Sequence, residues 1–98
     1  MAGRYNKMDG WEYAVVDVAT DSTTVSSGPS RLKAITVQTV LSAHALPIKD
    51  GSVTVYTIAA STAAGTRIEF DGIKFHSSLI IDPNDAATGG LLVAWAPA

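Results

Sequence analysis

Acid–base catalysis near neutral pH needs a side chain that titrates there, and the chain offers two, His44 and His76. His76 stands in Phe75-His76-Ser77-Ser78-Leu79, beside two hydroxyls. In an alternating strand, neighbours point to opposite faces, so Ser77 is turned away from His76. Ser78 shares its face at about 7 Å, too far for a nucleophile and its base. His44 lies in a loop between alanines, and both histidines read as surface or interface residues. Paired carboxylates are the other route to chemistry. Glu69 and Asp71 could share a face, but they flank an Asp-Gly turn and read as solvated turn acids. Asp82, Asn84 and Asp85 offer oxygens at a spacing reminiscent of a calcium loop, yet the glycine and the distal glutamate of such a loop are missing. Turn formation accounts for Asp82-Pro83-Asn84-Asp85, because Asx side chains bond their own backbone and proline presets φ. The sequence has no G-x-S-x-G elbow, H-E-x-x-H helix or Walker loop. No catalytic residue, metal ligand or cofactor is therefore assigned, and the chain is not read as an enzyme. A small metal-dependent jelly-roll enzyme using His44 and His76 is an alternative with little support, since cupin-type sites need several inward histidines and a carboxylate.

The frame for these residues is small. Ninety-eight residues suit one domain with one modest core, and the absence of cysteine removes disulfides and thiolate metal sites. Net charge is −2, and the seven basic residues (Arg4, Lys7, Arg31, Lys33, Lys49, Arg67, Lys74) are scattered, which argues against nucleic acid as a partner. No apolar run approaches the ~18 residues needed to cross a bilayer, and the N-terminus lacks the apolar core of a signal peptide, so no membrane is expected and the chain should stay soluble. Charged residues make up only 16%, against about 25% in ordinary domains, while Ala, Ser and Thr are abundant. A surface so neutral and hydroxyl-rich suits permanent packing against other subunits, and a homo-oligomer is expected. An ordinary monomer solvated by its Ser and Thr hydroxyls is the alternative.

The strand pattern sets the fold. Asp50-Gly51 and Asp71-Gly72 each lie between runs of β-branched and aromatic residues, and Asp-Gly supplies the two positive-φ positions of a type I′ hairpin turn. Residues 1–10 read as an extended N-terminal arm and 11–98 as a single β domain. Strands are predicted at Trp11–Val18, Arg31–Leu41, Pro47–Lys49, Ser52–Ile58, Arg67–Phe70, Ile73–Ile81 and Leu91–Trp95, the last one buried. Ala19–Ser30 reads as a loop, with a short strand around Val25 as the alternative, and Ala59–Gly65 as a loop or one helical turn. Six to eight antiparallel strands at roughly ten-residue spacing indicate an all-β sandwich or jelly-roll-like barrel. Trp11, Tyr13, Tyr56, Phe70, Phe75 and Trp95 fall in predicted strands, where core packing is the default use of an aromatic. Tyr5 and Met8 have no local reason to be buried, and with Trp11 they are the candidate contacts of a subunit or shell interface.

The tract from Lys49 to Trp95 resembles small structural proteins of tailed bacteriophages. The likeness spans about half the chain and rests on D-G-x-x-x-V-Y-T-I (Asp50 to Ile58), F-x-x-S-L-I-I-D-P (Phe75 to Pro83) and D-A-A-T-G (Asp85 to Gly89). These motifs look like signatures of folding. The resemblance implies a virion structural component made in the host cytoplasm. The commonest small β-rich kind is a capsid decoration or cement protein, which sits as an oligomer, often a trimer, over junctions of the major capsid protein. A tail, fibre or receptor-binding module is the alternative within the virion.

Overall fold

In the computed structural model, which describes residues 11–98, the chain forms eight β-strands and, among these residues, no helix. They are β1 (Glu12–Asp17), β2 (Thr23–Ser26), β3 (Ser30–Thr39), β4 (Leu46–Asp50), β5 (Val53–Ile58), β6 (Arg67–Phe75), β7 (Leu79–Ile81) and β8 (Gly90–Pro97). β2 fills the Val25 alternative, and residues 59–65 form turns without a helical turn. The expected arm at 1–10 lies outside the described residues.

All pairings are antiparallel and nested: β1 pairs with β8, β2 with β7, β3 with β6 and β4 with β5. Two further pairings, β3 with β8 and β4 with β7, join these ribbons into two four-stranded sheets, β1-β8-β3-β6 (sheet A) and β2-β7-β4-β5 (sheet B). One apolar cluster draws on both sheets in a sandwich-like arrangement. Sheet A contributes Val16, Leu32, Ile35, Val37, Phe70, Phe75, Leu91 and Val93, and sheet B contributes Leu46, Ile48, Ile58, Leu79 and Ile81. The alternation of period two puts each set on one face of its strand. The edge where β5 and β6 meet is closed by Tyr56 and Phe70, whose rings stand edge-to-face at 5.3 Å.

The two Asp-Gly pairs behave differently from expectation. At the first, the chain does reverse, with Asp50 opposite Val53, so Gly51 and Ser52 are the central residues. Only the glycine has positive φ (62°), as a type II′ turn requires, where the sequence suggested type I′ across Asp50-Gly51. At the second, both residues take the anticipated positive φ (56° and 78°), yet the chain runs straight on and β6 is one strand. Leu32 faces Ile73 and Ala34 faces Glu69, so Lys33 alone opposes Phe70, Asp71 and Gly72, and the pair lies in a special bulge of three residues against one. Arg31 donates from its guanidinium to the Gly72 carbonyl at 3.1 Å across this bulge. β3 also slips by one residue at Lys33 against β8, which brings Leu32 to the core side together with Ile35 and Val37. Strict alternation through Lys33 would put Leu32 on the face opposite Ile35 and Val37. Pro47 is the second residue of β4, one position after the strand begins at Leu46, and β4 is an interior strand: Asp82 donates its amide to the Pro47 carbonyl, while the missing N–H of proline falls before the β7 pairing begins at Ile48.

The loop ends are fastened by backbone. Around the loop at 59–66, Val37 donates to Thr66, Leu41 to Thr62, Ser61 to Ser42 and Gly65 to Val37. The D-A-A-T-G motif is built into the fold in the same way. Asn84 accepts the Ala86 amide through its side chain and the Ala87 amide through its carbonyl. Ala87 is in the core, and Thr88 exchanges bonds with Ser42.

Candidate functional site

The strand directions place the predicted chemical residues apart. His44 lies in the β3–β4 connection, where β3 ends and β4 begins, whereas His76 lies in a bend between β6 and β7. β4 starts beside His44 and finishes at Asp50, whose carboxylate reaches the His76 amide, so the full length of β4 separates the two histidines. They stand at opposite ends of the sandwich and cannot share a ligand. The expectation of His76 within an alternating strand fails, because Ser77 and Ser78 belong to the link and their amides are engaged.

That link is organised by Asp50, which the sequence marked only as a turn residue. Its carboxylate accepts the amides of His76 (2.9 Å), Ser77 (2.8 Å) and Ser78 (3.3 Å). The His76 amide chiefly, then that of Ser77, holds the Asp50 carboxyl below the usual carboxylate range. The contacts lie 26 to 28 residues away in sequence, so no local signal could have revealed them.

Two of these acids have structural partners. Glu69 pairs with Arg67 two residues before it on the same exposed face of β6. Asp82 pairs with Lys49 across sheet B at 2.7 Å. Asn84 is occupied by its own turn, so the three oxygen-bearing residues at 82–85 do not converge. Among the described residues, no three His, Cys, Asp or Glu side chains are grouped as a metal site.

Of the three expected interface residues, Tyr5 and Met8 lie outside the described residues. Trp11, just before β1, is half-buried against a strand that is not its neighbour. A Cβ on Gly72 would lie 3.4 Å from Trp11 Cη2, and the Lys33 ammonium stands 5.8 Å from the centre of the indole. The ring thus packs on the β6 bulge, with β8 and β3 between that strand and β1. With Arg31 bonded to the same bulge, Trp11, Lys33, Arg31 and Gly72 form one cluster on sheet A.

Among the described residues, two apolar surfaces stand in solvent. On β1, Tyr13 and Val15 are 74% and 78% exposed on the side away from the core, beside Leu92 and Ala94 of β8. Tyr13 is therefore not the core aromatic the sequence suggested: it shares a face with Val15, whereas Ala14 and Val16 take the inward positions. Next to Val15 a shallow depression is lined by Asp17, Ala19, Gln38, Thr39, Thr88 and Gly90. On β5, Val53, Val55 and Tyr56 are 63%, 44% and 41% exposed. The sequence carried a hint of this second surface in Val53-Thr54-Val55-Tyr56-Thr57-Ile58, a strand without a charge. No known protein family, curated protein or solved structure matches the chain.

Proposed function

We propose that this chain is a virion structural protein, a decoration or cement protein that binds the assembled head of a tailed phage and stabilises it by contact, without turnover. The observation that carries the reading is the exposed apolar surface on a domain so poor in charge: Tyr13 and Val15 on one sheet and Val53, Val55 and Tyr56 on the other. Scattered apolar residues are ordinary, but rows along a strand suit a partner surface. The nested order, with sheets β1-β8-β3-β6 and β2-β7-β4-β5, is that of an antiparallel ribbon rolled over itself, and we assign it to the jelly rolls, an architecture used by viral shells. The motif resemblance to tailed-phage proteins points the same way.

The chemistry required is modest. Neutral Ser, Thr and Ala surfaces lower the desolvation cost of a lasting contact, because few charges must be stripped of water. Many weak contacts repeated over a shell hold as one through multivalency, and a protein that binds only the assembled state shifts the equilibrium against disassembly. In this reading the chain acts as a homo-oligomer on the major capsid protein.

The test is to mix the purified chain with empty shells of the phage that encodes it and to count copies on sedimented particles. The expected result is on the order of hundreds per particle, with shells that withstand higher temperature or denaturant than bare ones. A few to tens of copies would move the protein to the tail or fibre. No copies on any particle would end the virion reading.

A further inference from the structure

Among the described residues each sheet leaves two edges, and an open edge pairs with other chains unless something blunts it. Three of the four are blunted. β1 begins with Glu12, placed on the core-facing side by its register with Trp95, and ends with Asp17. β2 has four residues and a register break between Thr24 and Ser26. β6 carries Arg67, Glu69, Asp71 and Lys74 together with its three-residue bulge. β5 differs: six residues without a charge, the first five exposed, five of the six β-branched and one aromatic. Its one irregularity is a bulge at Val55, where the register with β4 shifts.

We propose that β5 is the strand through which two copies of this chain pair, antiparallel about a two-fold axis, so that sheet B of one protomer continues into sheet B of its partner. A two-fold contact brings every residue near its own counterpart, so a charge close to the axis meets its like. The chain is acidic overall, and β5 is its long uncharged edge. Behind it on the outer face the nearest charges, Lys49 and Asp82, are already paired with each other at 2.7 Å. Self-pairing of β1 would bring acids together, and pairing of β6 would meet its bulge. Val, Thr and Tyr at β5 are side chains that pair well across strands. The break at Val55 divides the ladder into two short runs, which keeps the contact weak, with a dissociation constant on the order of 10–100 µM.

This inference rests on the oligomeric part of the reading above and narrows it: the association is two-fold and the number of copies even. The experiment is native mass spectrometry and sedimentation equilibrium of the full chain, alongside Val55→Lys and Val55→Glu. The wild type is expected to dimerise across that concentration range. Each variant should be monomeric with unchanged circular dichroism, because the replaced side chain is already in solvent. An equimolar mixture of the two should dimerise again, as opposite charges face each other at the axis. Should Val55→Lys fail to fold, Thr57→Lys at another exposed β5 position gives the same readout. Amide exchange in β5 should be slower in the wild type than in the monomeric variant.

A folded variant that keeps the wild-type mass overturns the choice of strand while leaving an oligomer in place. A wild type that contains three copies, or stays monomeric to about 1 mM, overturns the pairing itself. Shell binding is scored separately. A monomeric variant that still coats shells preserves the virion reading, and a dimer that ignores them preserves only the pairing.

Discussion

Replacing Asp50 tests whether a single exposed carboxylate fastens the β6–β7 link to the end of β4. Asp50→Ala deprives the amides of His76, Ser77 and Ser78 of their acceptor at once. Hydrogen bonds to a charged group contribute roughly 1.5–3 kcal/mol each where water is excluded. Here water can replace the lost acceptor and screen the charge, so a discounted total of about 1–2 kcal/mol is expected, similar to the loss of a helix cap. For a domain of this size that is a fall in Tm of about 4–16 °C. Asp50→Asn should cost less than alanine, since one oxygen remains as acceptor while an amino group is turned toward one of the N–H groups. The pH dependence has a definite sign. The folded carboxyl titrates below its unfolded value, so its contribution is fully present above the unfolded pKa, near 3.9. It is lost as pH falls through the lower folded value. Urea unfolding followed by the fluorescence of Trp11 and Trp95 should therefore show a constant gap between wild type and Asp50→Asn from pH 7 to 5, closing below pH 4. A gap under about 0.3 kcal/mol at pH 7, or one that persists unchanged into acid, would refute the assignment.

Two further substitutions probe the core. Gly89 has φ 133°, and a Cβ there would stand 2.6 Å from Leu41 Cδ2 and 3.1 Å from the Val40 carbonyl oxygen. Gly89→Ala should cost about 2–4 kcal/mol from backbone strain and overpacking, measured by chemical denaturation, and a loss below ~1 kcal/mol would mean the close approach is relieved cheaply. Ser30, at the start of β3, is fully buried with its hydroxyl unpartnered among the described residues. Ser30→Ala should be neutral or stabilise by up to about 1 kcal/mol in the same assay, and clear destabilisation would reveal a partner for the hydroxyl.

The fold class was legible because it depends on local chemistry. β-Branched runs of period two, closed by Gly, Pro, Asn and Asp, leave few options other than antiparallel strands, and β1, β3, β5 and β8 fall close to where alternation puts them. The candidate site was less legible. Trp11 could be singled out as an aromatic near the chain start, but nothing in its neighbourhood foretold that it rests on Gly72, some sixty residues on, beneath Lys33. Tyr13 and Val15 look like core residues by type. Only the side of β1 that turns toward β8's Leu91 and Val93 decided that Ala14 and Val16 go inward in their place.

The two Asp-Gly pairs separate what each level of structure controls. Residue type determines that such a pair accepts positive φ, and Gly51, Asp71 and Gly72 all take it. Whether the chain then reverses is decided by which strand lies alongside. At Gly51, β4 and β5 pair with each other, so the turn closes a hairpin. At Asp71-Gly72 the partner on both sides of the pair is β3, which holds Ile73 and Lys74 through Leu32 and Arg31, and Arg67 through Glu69 by way of Thr36 to Ala34. With one continuous strand gripping both halves, the same dihedral angles can only bulge. The conformation of a residue follows from its own atoms, whereas the path of the chain follows from hydrogen bonds to a segment some forty residues away, and only the folded structure brings that segment into place.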